Sequence, residues 1–338
     1  MGGDWGPLNA RSRGLGSSLL PPDVLREAAT SDSTGELAGR LARAGYPPDG
    51  GELPSTPEGL DRAVSRVTGW RLALLHRWAG DLRDRLPVVF EAEDRRSIRA
   101  LLRGAAEGAA PERRLRGLVP TPTLPRRALQ EMAGAGAPEV LTERLRDEGH
   151  PLAEALAGTT ATAPASSGLF EAEMALDRAF ARRATSAASP DSDLRDFAAR
   201  RVDRANAWTL LEAGRSAGER DPEGLRMPGG NAFPPDRFAE ILSVEEDEER
   251  RALVASALGG RAGALLSEPA VPVDDLPDRL LAADLRHARD RSRRAPLGPW
   301  PFLYLVLRSR AEARDLRRLA WGAAMGAPSS TLAPVSLP

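Results

Sequence analysis

The sequence contains no cysteine and no lysine. Without cysteine there is neither a disulfide framework nor a thiolate metal site, and His76, His150 and His287 are too scattered to replace one. Without lysine, a phosphate-binding P-loop and Schiff-base catalysis are both excluded. Aromatic residues make up only 4% of the chain, too few to line a carbocation pocket. Charge of neither sign dominates: the formal net charge is −1, so no overall field draws the chain to nucleic acid. Long apolar runs are missing too. The longest, around Trp300-Pro301-Phe302-Leu303-Tyr304-Leu305-Val306-Leu307, falls well short of the roughly 18 residues of a membrane span. The first residues, Met1-Gly2-Gly3-Asp4-Trp5, lack a basic segment followed by an apolar one, so no signal peptide is expected and the location reads as cytoplasmic.

What remains is rich in Ala, Leu, Arg and Glu. These are strong helix formers, and strand-favouring aromatics are scarce, so the expected fold class is all-α. At 338 residues the chain can form one large domain or several small ones.

Self-similarity decides between these. The pattern [Leu/Phe]-Pro-x-x-x-[Leu/Phe]-x-Glu occurs at Leu20-Pro21 with Leu25 and Glu27, at Leu124-Pro125 with Leu129 and Glu131, and at Phe233-Pro234 with Phe238 and Glu240. The prolines are 104 and 109 residues apart. Proline ahead of an apolar residue and a Glu reads as a helix start, because its missing N–H has no partner to lose there. A second pattern follows each start: an acid, a small polar or acidic residue three later, then an apolar helical stripe and a glycine. Its copies are Asp94/Ser97 with Gly104, Asp203/Asn206 with Gly214, and Glu312/Asp315 with Gly322; the acids are spaced 109 and 109 residues apart. Two independent markers with one period predict three helical repeats, 1–118, 119–228 and 229–338, arranged as pseudo-threefold-related bundles in a closed body.

The periodicity predicts helices over 21–30, 34–44, 57–86 and 91–107, over 170–184, over 278–291 and over 302–324. Trp70 and Trp78 are expected to fill the core. The small-residue stretch from Thr159 to Gly168 reads as a loop.

No Ser/His/Asp set, zinc-protease motif or glycine-rich cofactor fingerprint is present. Asp274-Asp275-Leu276-Pro277-Asp278 matches a DDxxD magnesium-diphosphate motif, yet Pro277 inside it argues for a helix start capped by Asp274 or Asp275. Glu245-Glu246-Asp247-Glu248-Glu249 reads as a solvated face. Residues 279–318 hold 11 arginines against 4 acids. Within this run Arg308, Arg310, Arg314, Arg317 and Arg318 are the candidate partner interface, since guanidinium groups bind carboxylates and headgroups in bidentate fashion. No catalytic, cofactor-binding or metal-ligating residue is assigned, and no cofactor is expected.

Leu8-Asn9-Ala10-Arg11-Ser12-Arg13-Gly14, the segment 94–108, Asp203-Arg204-Ala205-Asn206 and the segment 311–328 together resemble the V-type ATPase family of the prokaryotic C and eukaryotic d subunits. The resemblance runs nearly end to end, although the family pattern carries Asn where this chain has Ser97 and Asp315. It implies a funnel of three related helical bundles and a noncatalytic rotor part. The implied partners are the central-shaft subunits D and F and the membrane proteolipid ring, with the membrane stator subunit as a further candidate. The competing reading is a free helical-repeat scaffold.

Overall fold

The computed structural model describes residues 4–157, 165–213, 221–268 and 275–332, and among them the regular structure is helical, with no strand. After α1 (Gly6–Gly16) come two short helices, α2 (Pro22–Ala28) and α3 (Thr34–Arg43), and two long ones, α4 (Pro57–Ala79) and α5 (Pro87–Ala106). A similar order follows twice more, with a third short helix in the last set. After the turn α6 (Pro111–Arg114) come α7 (Arg126–Ala133), α8 (Pro138–Asp147), α9 (Ala165–Ala188) and α10 (Ser192–Ala213). After α11 (Pro222–Leu225) come α12 (Pro235–Leu242), α13 (Asp247–Leu258), α14 (Gly260–Leu266), α15 (Leu276–Arg294) and α16 (Trp300–Met325).

Local chemistry sets the helix starts. Pro21, Pro125 and Pro234 stand at the N-cap of α2, α7 and α12 in extended conformation, one position earlier than a first-turn proline, and the helix then begins on the next residue. Ser33 caps α3 by accepting from Glu36 N at 3.2 Å, and Thr56 caps α4 by accepting from Gly59 N at 3.1 Å. Such caps satisfy amides that a helix start leaves without partners. The long pattern over 57–86 is broken at Gly80, whose φ of +51° is open to glycine; a 3-10 segment follows, and α5 starts afresh at Pro87. Residues 165–168, at the end of the stretch read as a loop, form the first turn of α9. Leu169 and Phe170 pack inward just beyond them, and burying those side chains draws the preceding small residues into the helix. Thr159 and its neighbours to Pro164 lie outside the described residues.

Of the closing helices α5, α10 and α16, the first packs into one large central cluster, whereas α10 and α16 each serve two cores. The first half of α16 (Phe302, Leu303, Val306, Leu307) joins this central cluster with α1, the C-terminal end of α4, and α9, while its second half (Leu316, Leu319, Ala320) packs with Leu25, Leu37, Leu41, Leu60 and Val64 of α2, α3 and α4. Likewise, α10 gives Leu194 and Phe197 to the central cluster and Ala207 and Leu210 to a cluster with Phe233, Phe238 and Val254 of the segment that follows it. Each such buried Leu or Phe contributes about 2 kcal/mol. Trp70 and Trp78 pack against the central cluster, half-buried.

Gly104 and Gly322 lie inside α5 and α16, short of their ends. They are packing sites: a Cβ would stand 2.7 Å from Arg114 Cγ at the first and 2.5 Å from Leu332 Cδ2 at the second. Gly326, at φ +66°, makes the left-handed stop of α16. Gly214 lies outside the described residues.

Candidate functional site

The acids singled out by the repeat sit within the closing helices, away from their ends, and each reaches the opening of a different segment. Asp94 accepts the hydroxyls of Thr121 and Thr123, just ahead of Leu124-Pro125. Asp203 accepts Ala232 N at 2.9 Å, just ahead of Phe233-Pro234. Glu312 accepts Leu20 N at 2.6 Å, immediately before Pro21. The two sequence markers are therefore halves of one contact, an acidic latch, and the last latch carries the C-terminal helix back to the first opening. Asn206 adds a two-way clamp, accepting Met227 N at 2.8 Å and donating to Met227 O at 2.9 Å.

Each latch is buried, so each carboxylate needs compensation. At Asp94 it comes from the two hydroxyls and from His150, whose Nε2 lies 3.2 Å from Asp94 Oδ2. Leu152 N donates to His150 Nδ1, which leaves Nε2 as the ring N–H that donates to Asp94. At Glu312 it comes from Arg71 of α4, 2.5 Å away; both side chains are 2–3% exposed. Burial pushes the Asp203 carboxyl up, and the amides of Ala232 and Asn231 oppose that rise. The chain passes so close there that a Cβ on Gly230 would collide with Asp203 Oδ1. Gly230→Ala is expected to destabilise the protein by about 1–3 kcal/mol, seen as a lower thermal midpoint. An unchanged midpoint would show that this latch yields without cost.

Arginine–carboxylate pairs span the same helix junctions. Between α5 and α9, Arg99 binds Glu173 and Asp177 at 2.9 Å each, and Arg103 grips Glu173 through two nitrogens. Arg183 and Glu91 make a second two-pronged pair. Arg204 of α10 contacts Asp284 of α15, and Arg317 of α16 binds Asp61 of α4 at 2.8 Å. The forked geometry of these contacts is beyond a lysine, which gives the all-arginine composition a structural use.

Where the closing helices meet, a cavity of about 510 Å³ opens. Helix α5 lends it Glu93, Arg95 and Arg96, helix α10 lends Arg201 and Arg204, and helix α16 lends Arg310, Arg314 and Arg317. Burial alone would raise Glu93, but Arg96, Arg310, Arg317 and Arg201 outweigh it and hold the carboxyl down at about 2. Burial lowers Arg310 to about 10, with Glu93 opposing the shift; it remains a cation at neutral pH.

Of the five arginines singled out by sequence, Arg310, Arg314 and Arg317 stand together on this cavity wall. Arg314 and Arg318 both bind Asp278, and Arg308 lies over the Tyr304 ring at 5.8 Å. Arg95, Arg96, Arg201 and Arg204 come from helices outside the basic run and were missed. Their signal was register: two residues before the acid stand Ala92, Arg201 and Arg310, and two after it Arg96, Ala205 and Arg314. In the DDxxD segment Asp274 lies outside the described residues. α15 does start there, with Pro277 in its first turn, but Asp275 makes no side-chain cap, and Asp278 is taken by two guanidinium groups. Among the described residues no cluster of His and acids could hold a metal ion.

These features define an all-α protein tied together by buried acidic latches and interhelical arginine pairs. The chain belongs to the ATP synthase (C/AC39) subunit family, whose family model matches residues 8–333. It is similar to the C subunit of the V-type ATP synthase of Deinococcus radiodurans, with 27% identity over 235 residues. That alignment covers 68% of this chain and 66% of the relative, just under two thirds of its length.

Proposed function

We propose that this chain is a noncatalytic rotor subunit of a V-type ATP synthase or ATPase, a socket that joins the central shaft, subunits D and F, to the membrane proteolipid ring. The observation that carries this reading is the family match from residue 8 to residue 333, supported by the likeness to the Deinococcus relative. In this reading the repeats 1–118, 119–228 and 229–338 form three pseudo-threefold-related bundles of a funnel. The protein works at the cytoplasmic face as a peripheral part; no helix among the described residues is long and apolar enough to cross a membrane.

Torque transmission asks for a body that does not shear, and the latches supply this: each closing helix is bound by buried polar contacts to another segment's opening. The partner surface includes Arg308, Arg310, Arg314, Arg317 and Arg318.

The test is co-purification with the same organism's D–F pair and detergent-solubilised ring, read by native mass. One copy of this chain bridging shaft and ring is expected, and binding to neither would leave a free helical scaffold. Arg308 is the variant for the interface, because it stacks on Tyr304, whereas reversal of Arg317 would set a Glu against Asp61. Arg308→Glu is expected to weaken assembly by about 1 kcal/mol or more; equal yield of complex would remove Arg308 from the interface.

A further inference from the structure

The cavity between α5, α10 and α16 has more guanidinium groups than carboxylates to match them. Asp177 takes Arg95, Asp284 takes Arg204, Asp278 takes Arg314 and Asp61 takes Arg317. Glu93 is shared by Arg96 at 2.8 Å and Arg310 at 3.2 Å. Arg201 is left over, with no hydrogen bond or ion pair to a described residue, although it lines the cavity. Arg310 is 10% exposed, and its buried Nη1 also has no partner. A buried N–H of a cation without an acceptor, as at Arg310 Nη1, is costly, and the half-buried Arg201 of α10 lines the same space.

We infer that this cavity binds a phosphate-class oxyanion, held by Arg201 and by the free Nη1 of Arg310. A tetrahedral oxyanion offers several acceptors within the reach of two planar guanidinium forks and takes charge-assisted bonds from both. The space is ample, since a water molecule occupies about 30 Å³. Glu93, already engaged on both oxygens by Arg96 and Arg310, does not satisfy Arg201 and sets a limit on affinity by repelling the anion. This inference is independent of the coupling role: a chain that binds neither ring nor shaft still carries the cavity.

The experiment is equilibrium dialysis of the full chain against inorganic phosphate in chloride buffer at fixed ionic strength. Wild type is compared with Arg201→Gln and with Arg127→Gln, an 87% exposed control. One phosphate per chain is expected, with binding about tenfold weaker in Arg201→Gln and unchanged in the control. Absence of saturable binding, or equal binding by Arg201→Gln, overturns the inference. Should that variant fold poorly, phenylglyoxal labelling of the wild type decides. Phosphate should protect Arg201 but not Arg127, and equal labelling of Arg201 with and without phosphate again overturns it. Co-sedimentation with phosphatidylglycerol vesicles assigns the source. Pelleting that phosphate reverses identifies a lipid headgroup, and phosphate binding without pelleting identifies the free anion.

Discussion

Glu312→Ala is expected to cost about 3–5 kcal/mol of stability, read as a lower urea midpoint. Glu312 and Arg71 are 3% and 2% exposed and meet at 2.5 Å, so removing the carboxylate leaves a buried guanidinium with Ser18 O at 2.7 Å and a 3.5 Å approach to Ser309. The same change takes the acceptor from Leu20 N, and hydrogen exchange at that amide should rise with it. A double variant, Arg71→Met with Glu312→Gln, should recover much of the loss, because a buried pair contributes less than the penalty of breaking it. The exposed pair Arg127–Glu131 provides the scale for a surface contact: Glu131→Ala should cost about 0.5 kcal/mol or less. If Glu312→Ala costs no more than that, the third latch is not a structural element.

The legible part of this fold was local. A proline with an apolar residue four later marked α2, α7 and α12 because the helix start is decided within a few residues. The acids were found by spacing, and spacing also brought the openings into view. What joins them was not legible: Glu312 and Leu20 are 292 positions apart, and nothing in either neighbourhood says that one reaches the other. The arginine run carries a related ambiguity. A helix facing water and a helix packed on carboxylates have the same composition when the carboxylates come from elsewhere, as Asp61 does for Arg317. The cavity draws on three distant segments, so only the register of Arg201 with Arg310, and of Arg96 with Arg314, hinted at it. Glycine also carries two meanings that sequence does not separate. Gly326 stops a helix through its positive φ, while Gly322 makes room for Leu332.

Glu93→Gln should make the pH dependence of stability visible at a single residue. Glu93 is 3% exposed and its carboxyl is held at about 2 against an ordinary 4.5. A carboxyl with a depressed folded pKa binds fewer protons in the folded state than in the unfolded one. It therefore contributes stability in full above about pH 4.5, and that contribution is lost as pH falls toward 2. The shift corresponds to about 3 kcal/mol. Urea titrations should show Glu93→Gln less stable than wild type by about that amount at pH 7, with the gap closing through pH 4 and below. A gap that stayed constant down to pH 3 would mean the loss comes from packing and not from charge. The glutamine also removes the carboxylate that Arg96 and Arg310 share, so one more positive charge is left without a counterpart in the cavity. If the cavity holds an oxyanion, phosphate should then restore more stability to Glu93→Gln than it adds to wild type, because a ligand bound only by the folded state stabilises it by RT ln(1 + [L]/Kd), which grows as Kd falls. Equal phosphate effects on both proteins would separate the two ideas, keeping Glu93 as a structural counter-ion and removing it from the anion site.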